Sequence, residues 1–188
     1  MKEIIEKAKE WALKENKDYG TPLLEHLYLS NKKGQELAEK LNANKDIVLI
    51  GTWLMDIKLG ECLKEGKPSE HITKSAEATK EFLKQFDINQ KIKDAIVNCV
   101  EGHHGTVSFI CKEAEICANA DCYRFLHPRG LFAYFTLLGS RNGNLNKTIE
   151  FAENKVEEKH SILSLDICKE ELEPYYKMFK TLIDKARI

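Results

Sequence analysis

An all-α fold is predicted by three observations. Apolar residues recur at three- and four-residue steps along nearly the whole chain, and strand-type alternation does not persist beyond a few positions. One segment, residues 47–57, is apolar on every side except at Gly51, Thr52 and Asp56, which marks a central helix that the others wrap. The 188 residues suit one compact multi-helix bundle, and a chain of this size buries roughly two thirds of its unfolded surface.

The elements follow in order. Ile4, Ala8, Trp11 and Ala12 mark a first helix that stops in the turn at 16–20. Thr21 caps a second, with Pro22 at its first position and Leu23, Leu27, Gly34, Leu37 and Leu41 along one face. The central helix comes next. Ser69 caps a fourth helix with the stripe Ile72, Ala76, Thr79, Leu83 and Phe86, and Asn89 or Asp87 opens a fifth that runs through Ile92, Ile96 and Val100 to Gly102. Residues 103–110 read as a loop, 113–126 as a helix rich in small residues, and Pro128 starts another helix that reaches about Leu138 before a turn at 140–143. Leu145, Ile149, Ala152 and Val156 give the next stripe. The last is Leu172, Tyr175, Tyr176, Phe179, Leu182 and Ile183, in a helix that Pro174 should break near Glu173. These last two helices show no active-site chemistry and read as a cover for the core or a surface for a second copy, which leaves room for a homodimer.

Charge and composition narrow the function classes. Lys and Arg number 29 against 30 Asp and Glu, interleaved, for a net charge of −1, so the basic stripe expected of a nucleic-acid binder is missing. The longest charge-free runs, 47–55 and 130–140, fall short of the roughly 18 apolar residues of a membrane span. The N-terminus enters a charged amphipathic segment with no secretory pattern, which points to the cytoplasm. The six cysteines, Cys62, Cys99, Cys111, Cys117, Cys122 and Cys168, are then expected as reduced thiols, and none forms a CxxC pair.

The informative residue is Asp56. An ionised carboxylate left unpaired in such an apolar helix costs several kcal/mol, so a cationic side chain, a ring of donors or a metal ion must compensate it. Lys58, two positions away, points to another side of the helix. Other polar groups border apolar stripes: His26 beside Leu23, Leu27 and Ser30; His71 in line with Ser75, Ala78 and Phe82; His103 and His104 at the end of the fifth helix; Asp121 among small residues. Imidazoles and carboxylates on several packed helices are the ligand types that suit divalent iron, manganese, zinc or magnesium.

In this order, His26, Asp56 in an apolar helix, His71, His103-His104 and Asp121 resemble the HD-domain superfamily, all-helical metal-dependent phosphohydrolases. The likeness runs from about residue 19 to 138. The chain is therefore expected to be a single HD-like domain over 1–188, with a family-like core of about 19–138 and a helical extension of about 144–188. The resemblance implies a first metal held by His26, the histidine of the His-Asp pair, Asp56 and Asp121. It implies a second, bridged by Asp56 and held by His71 and one of the paired histidines, His103 in preference to His104. Met55 stands where that pair has its histidine, and a neutral thioether is a poor ligand for Mn, Zn or Mg. Binding of a divalent ion (Mn, Fe, Zn, Ni, Co or Mg) should be weakened accordingly. By the same resemblance the substrate is a small phosphorylated metabolite, a nucleotide foremost. Asp56 would hold the metal and orient a water, while Lys58, Lys74 and Arg124 are candidate phosphate contacts. The alternative, favoured by Met55, is a catalytically silent HD-like protein that binds a nucleotide or a protein partner; oxygen chemistry at a di-iron centre ranks last.

Overall fold

The computed structural model of the chain describes residues 1–187, apart from the side chain of Asn142. Ten α-helices are found among the described residues, and no strand: α1 (Lys2–Tyr19), α2 (Leu24–Lys40), α3 (Lys45–Leu54), α4 (Leu59–Lys64), α5 (His71–Lys84), α6 (Gln90–Gly102), α7 (Lys112–Leu126), α8 (Pro128–Asn142), α9 (Leu145–Ile162) and α10 (Asp166–Ala186). The bundle is organised around two of them. Helix α3 is packed by α1, α2, α6 and α7, and α7 in turn touches α2, α6, α8, α9 and α10.

Local chemistry accounts for most boundaries. Gly20 ends α1 in the left-handed conformation, φ 68°, with its N–H on Asn16 O. Asn44 starts α3 by accepting from the N–H groups of Asp46 and Ile47, and Asn89 and Asn144 begin α6 and α9 in the same way. Close approach of α3 to α6 depends on Gly51, where a Cβ would lie 2.5 Å from Cys99 Cβ and 2.9 Å from Cys117 Sγ. Helix α7 is buried from Ile116 to Leu126 because its small residues, Ala118, Ala120 and Cys122, let neighbours approach from every side. All six cysteines are free thiols.

Several boundaries differ from the expected ones. Leu23, not Thr21, caps α2, because the chain first turns through Pro22, whose carbonyl accepts from Asn16 Nδ2 at 2.8 Å. Ser69 lies inside a 3-10 turn, Pro68–Glu70, and makes no cap for α5. The central helix stops at Leu54 and is followed, after a turn, by the short α4. Helix α8 continues through the predicted 140–143 turn to Asn142. Pro174 does not break α10. It lies on the solvent side, and the helix is held on both flanks of it by buried Cys168 and Leu172 before, and Phe179 and Ile183 after. That burial exceeds the ~3 kcal/mol cost of an interior proline.

Candidate metal centre

Asp56 leaves the backbone where α3 has just ended. Ile57 N–H returns to Leu54 O and Leu59 N–H to Asp56 O, while Ser75 Oγ of α5 accepts from Lys58 N–H at 3.1 Å. This turn, absent from the sequence reading, aims the carboxylate into the bundle, where it is 5% exposed. The expected compensation is present as an arginine. Arg124 Nη1, on α7, donates to Asp56 Oδ2 at 2.5 Å and to Asp121 Oδ1 at 2.8 Å. Lys159 Nζ, on α9, sits 2.6 Å from Asp121 Oδ2. Two buried carboxylates thus face two buried cations. Burial works against their negative charge, but Arg124 beside Asp56, and Lys159 and Arg124 beside Asp121, hold both acids well below the usual carboxylate range.

The other oxygen of Asp56 faces imidazoles. His71 Nε2 and His103 Nε2 each lie 3.4 Å from Oδ1. The opposite nitrogens are committed: His71 Nδ1 is 2.6 Å from Pro68 O and His103 Nδ1 is 2.6 Å from Val100 O. A carbonyl can only accept, so these nitrogens carry protons, and in the neutral imidazole Nε2 is left with its lone pair. His103 Nε2 is buried with no hydrogen-bond partner. His104 stacks edge-on against both rings, with its Nδ1 3.0 Å from Glu158 Oε1. Asp56, His71, His103 and His104 bring one ligand atom each within 4.8 Å of one another. Imidazoles held through Nδ1 by carbonyls and a carboxylate, with Nε2 turned inward, are the usual support of a metal-binding histidine. The residues present therefore fit a divalent metal. For His71, burial pushes the pKa down but the Asp56 carboxylate outweighs it and the net shift is upward. Burial brings His104 down to about 4, with Glu158 opposing.

Not every expected residue joins this group. His26 Nε2 is 2.9 Å from Gly130 O, and its ring packs edge-on to Phe125. Burial and then Arg124 push it down to about 4. Asp121 is one salt bridge away, through Arg124. Met55 is fully buried beside the turn. Lys58 pairs with Glu61 at 2.6 Å, and Lys74 with Glu65 at 2.7 Å and Glu70 at 3.4 Å; both line a separate surface hollow. The expectation that the last two helices carry no site chemistry is overturned by α9, which supplies Glu158 and Lys159. The signal was present: Lys159 continues the stripe of Ile149, Ala152 and Val156 at helical spacing, a lysine where an apolar residue belongs.

Beside the cluster a cavity of about 300 Å³ is lined by His26, Asp56, His71, His104, Asp121, Arg124 and Lys159, together with Phe125, Tyr134, Lys155 and Arg141. Among the described residues, no helix is long and apolar enough to cross a membrane.

Comparison with known proteins agrees with this architecture. The chain superposes on the crystal structure of a predicted HD superfamily hydrolase from an uncultured Thermotogales bacterium with a TM-score of 0.67, over 98% of this chain and 90% of that one, at 14% identity. The fold expected from the resemblance, an HD-superfamily helical bundle, is the fold observed. In sequence, 137 residues are 28% identical to ribonuclease Y of Finegoldia magna, which is 72% of this chain but 23% of that protein, so the chain spans less than a quarter of its relative's length. No family model matches the chain.

Proposed function

We propose that the chain is a metal-dependent phosphohydrolase of the HD type, acting on a small phosphorylated metabolite, a nucleotide foremost, with Asp56, His71, His103 and His104 as its metal ligands. The observation that carries this reading is the buried Nε2 of His103, outside hydrogen-bond geometry with any partner, beside His71 Nε2 and Asp56 Oδ1, two imidazole nitrogens turned toward one carboxylate oxygen at 3.4 Å. Imidazole nitrogens and a carboxylate oxygen converging in a dry site are the donor set that a divalent cation takes. Three nitrogens and one oxygen suit Zn, Fe, Co, Ni or Mn better than Mg, which takes oxygen ligands. A divalent metal there supplies Lewis acidity toward a phosphoryl oxygen and toward water.

The chain's own groups do the rest. Arg124 and Lys159 set fixed positive charge in the wall of the cavity, and Lys155 and Arg141 add to it, which suits an anion whose charge grows during phosphoryl transfer. Phe125 and Tyr134, edge to face at 5.1 Å, offer an aromatic wall to the group esterified to the phosphate. Met55 is read as the residue in place of the family's pair histidine. Cytoplasmic placement and a homodimer belong to the same proposal, as does a single domain over 1–188 whose C-terminal extension supplies α9 to the site.

A second reading is favoured by the ribonuclease relative: cleavage of phosphodiester bonds in RNA. One assay separates the readings. Protein purified without chelators and supplied with Mn²⁺ is incubated with nucleoside monophosphates and, separately, with single-stranded RNA. Phosphate release that EDTA abolishes is the expected result. Shortened RNA with intact monophosphates selects the second reading. Nucleotide binding with no turnover in either arm selects the catalytically silent protein.

A further inference from the structure

We propose that Arg124 is a built-in cation that holds this centre to a single metal ion; the proposal rests on the metal-dependent reading above and deepens it. The four carboxylate oxygens of Asp56 and Asp121 are nearly all engaged. Asp56 Oδ2 and Asp121 Oδ1 accept from Arg124 Nη1, and Asp121 Oδ2 faces Lys159 Nζ at 2.6 Å. Asp56 Oδ1 remains, and it is the oxygen turned toward the imidazoles.

The nitrogen side is equally restricted. His26 Nε2 is turned onto Gly130 O and therefore carries its proton. Met55 offers only a neutral thioether. Between Asp56 and Asp121 the carboxylate oxygens thus face Arg124 or Lys159 and His26 Nε2 is spent on Gly130 O, so the cation there is a side chain that cannot be chelated or exchanged. Removing Arg124 from that space is opposed by its setting. The guanidinium is 2% exposed as part of its residue, and its withdrawal would leave two buried carboxylates with one lysine. A divalent ion entering beside Arg124 and Lys159 would meet two positive charges across a few ångströms of dry protein.

The chemistry that follows is asymmetric. One position is exchangeable, with Asp56 Oδ1 and the three histidines around it; the other is a guanidinium whose charge persists in metal-free protein. Arg124 acts here through Asp56 and Asp121 as a positioning residue, fixing which Asp56 oxygen a metal can reach.

The test is metal stoichiometry, read without reference to turnover. Protein stripped with chelator and dialysed against excess Mn²⁺ is analysed for manganese per chain and by electron paramagnetic resonance. The expected result is one manganese per chain and the six-line spectrum of an isolated ion. Two per chain with a spin-coupled spectrum would overturn this proposal and leave the metal-dependent reading standing. None would remove both. Arg124→Gln, checked for helix content by circular dichroism, is expected to raise the ratio above one; a folded variant that stays at one assigns the limit elsewhere and also overturns the proposal. Should that variant not fold, the unaltered chain's ratio decides alone.

Discussion

Lys159 shows how one residue sets the electrostatics of the site. Its ammonium is 1% exposed and answers Asp121 Oδ2 at 2.6 Å. Lys159→Met keeps the length and apolar stem but leaves Asp121 to Arg124 alone; breaking one partner of a buried pair costs about 3–5 kcal/mol. Urea unfolding should show a lower midpoint at an unchanged slope, and a variant as stable as the parent would contradict the pairing. His26 gives the pH dependence. Burial brings its pKa from 6.5 down to about 4 in the folded chain, so on acidification the unfolded state binds the proton first. The contribution is complete above pH 6.5 and fades as pH falls toward about 4. His26→Gln should flatten the stability profile over that window by up to ~1.4 kcal/mol per pH unit, with His104 retaining a similar slope; an unaltered profile would show that His26 does not titrate this way. At this scale the sequence marked out Asp56 as a charge in an apolar run, His26 and His71 at the edges of apolar stripes, His103 and His104 at a helix end and Asp121 among small residues, and the structure gathers four of these six. It did not mark Glu158 and Lys159, because a segment as charged as 153–159 ordinarily lies in solvent.

At the scale of elements, the site depends on where α3 stops and how closely α6 lies beside it. His103 follows directly on α6, and Gly51 allows the two helices to meet at Cys99. Gly51→Ala gains helix propensity, yet its Cβ would fall 2.5 Å from Cys99 Cβ. Overpacking of this kind costs about 1–3 kcal/mol, so chemical denaturation should show a net loss of stability; a stabilised variant would mean that α3 and α6 are not pressed together here. The all-round apolar run located α3, and the stripe of Ile92, Ile96 and Val100 located α6. Neither revealed the turn at 55–58, because Met55-Asp56-Ile57-Lys58 contains no Gly or Pro. Helix α4 escaped notice for a related reason: six residues are too few to establish a period. The proline in α10 misled because tertiary burial on both sides outweighed a local preference.

At the scale of the molecule, the bundle spreads the site over distant parts of the sequence. Asp56 follows α3, His71 opens α5, His103 and His104 follow α6, Asp121 and Arg124 lie on α7, and Lys159 on α9. Asn119 ties α7 to the α9–α10 connection, accepting from the N–H groups of Ser164 and Leu165 and donating to Ser164 Oγ. The fold class was legible from periodicity alone, and the order of the His and Asp residues pointed to the superfamily whose fold is observed. What periodicity could not supply was the ion-pair network, because it joins residues 68 and 38 positions apart, Asp56 to Arg124 and Asp121 to Lys159. The central claim is that Asp56 and the three histidines hold a metal. Elemental analysis of protein purified without chelators, beside Asp56→Asn, tests it most directly: the account predicts a bound transition metal in the parent that is lost from the variant, and a parent that takes up none from Mn²⁺, Fe²⁺ or Zn²⁺ would contradict it.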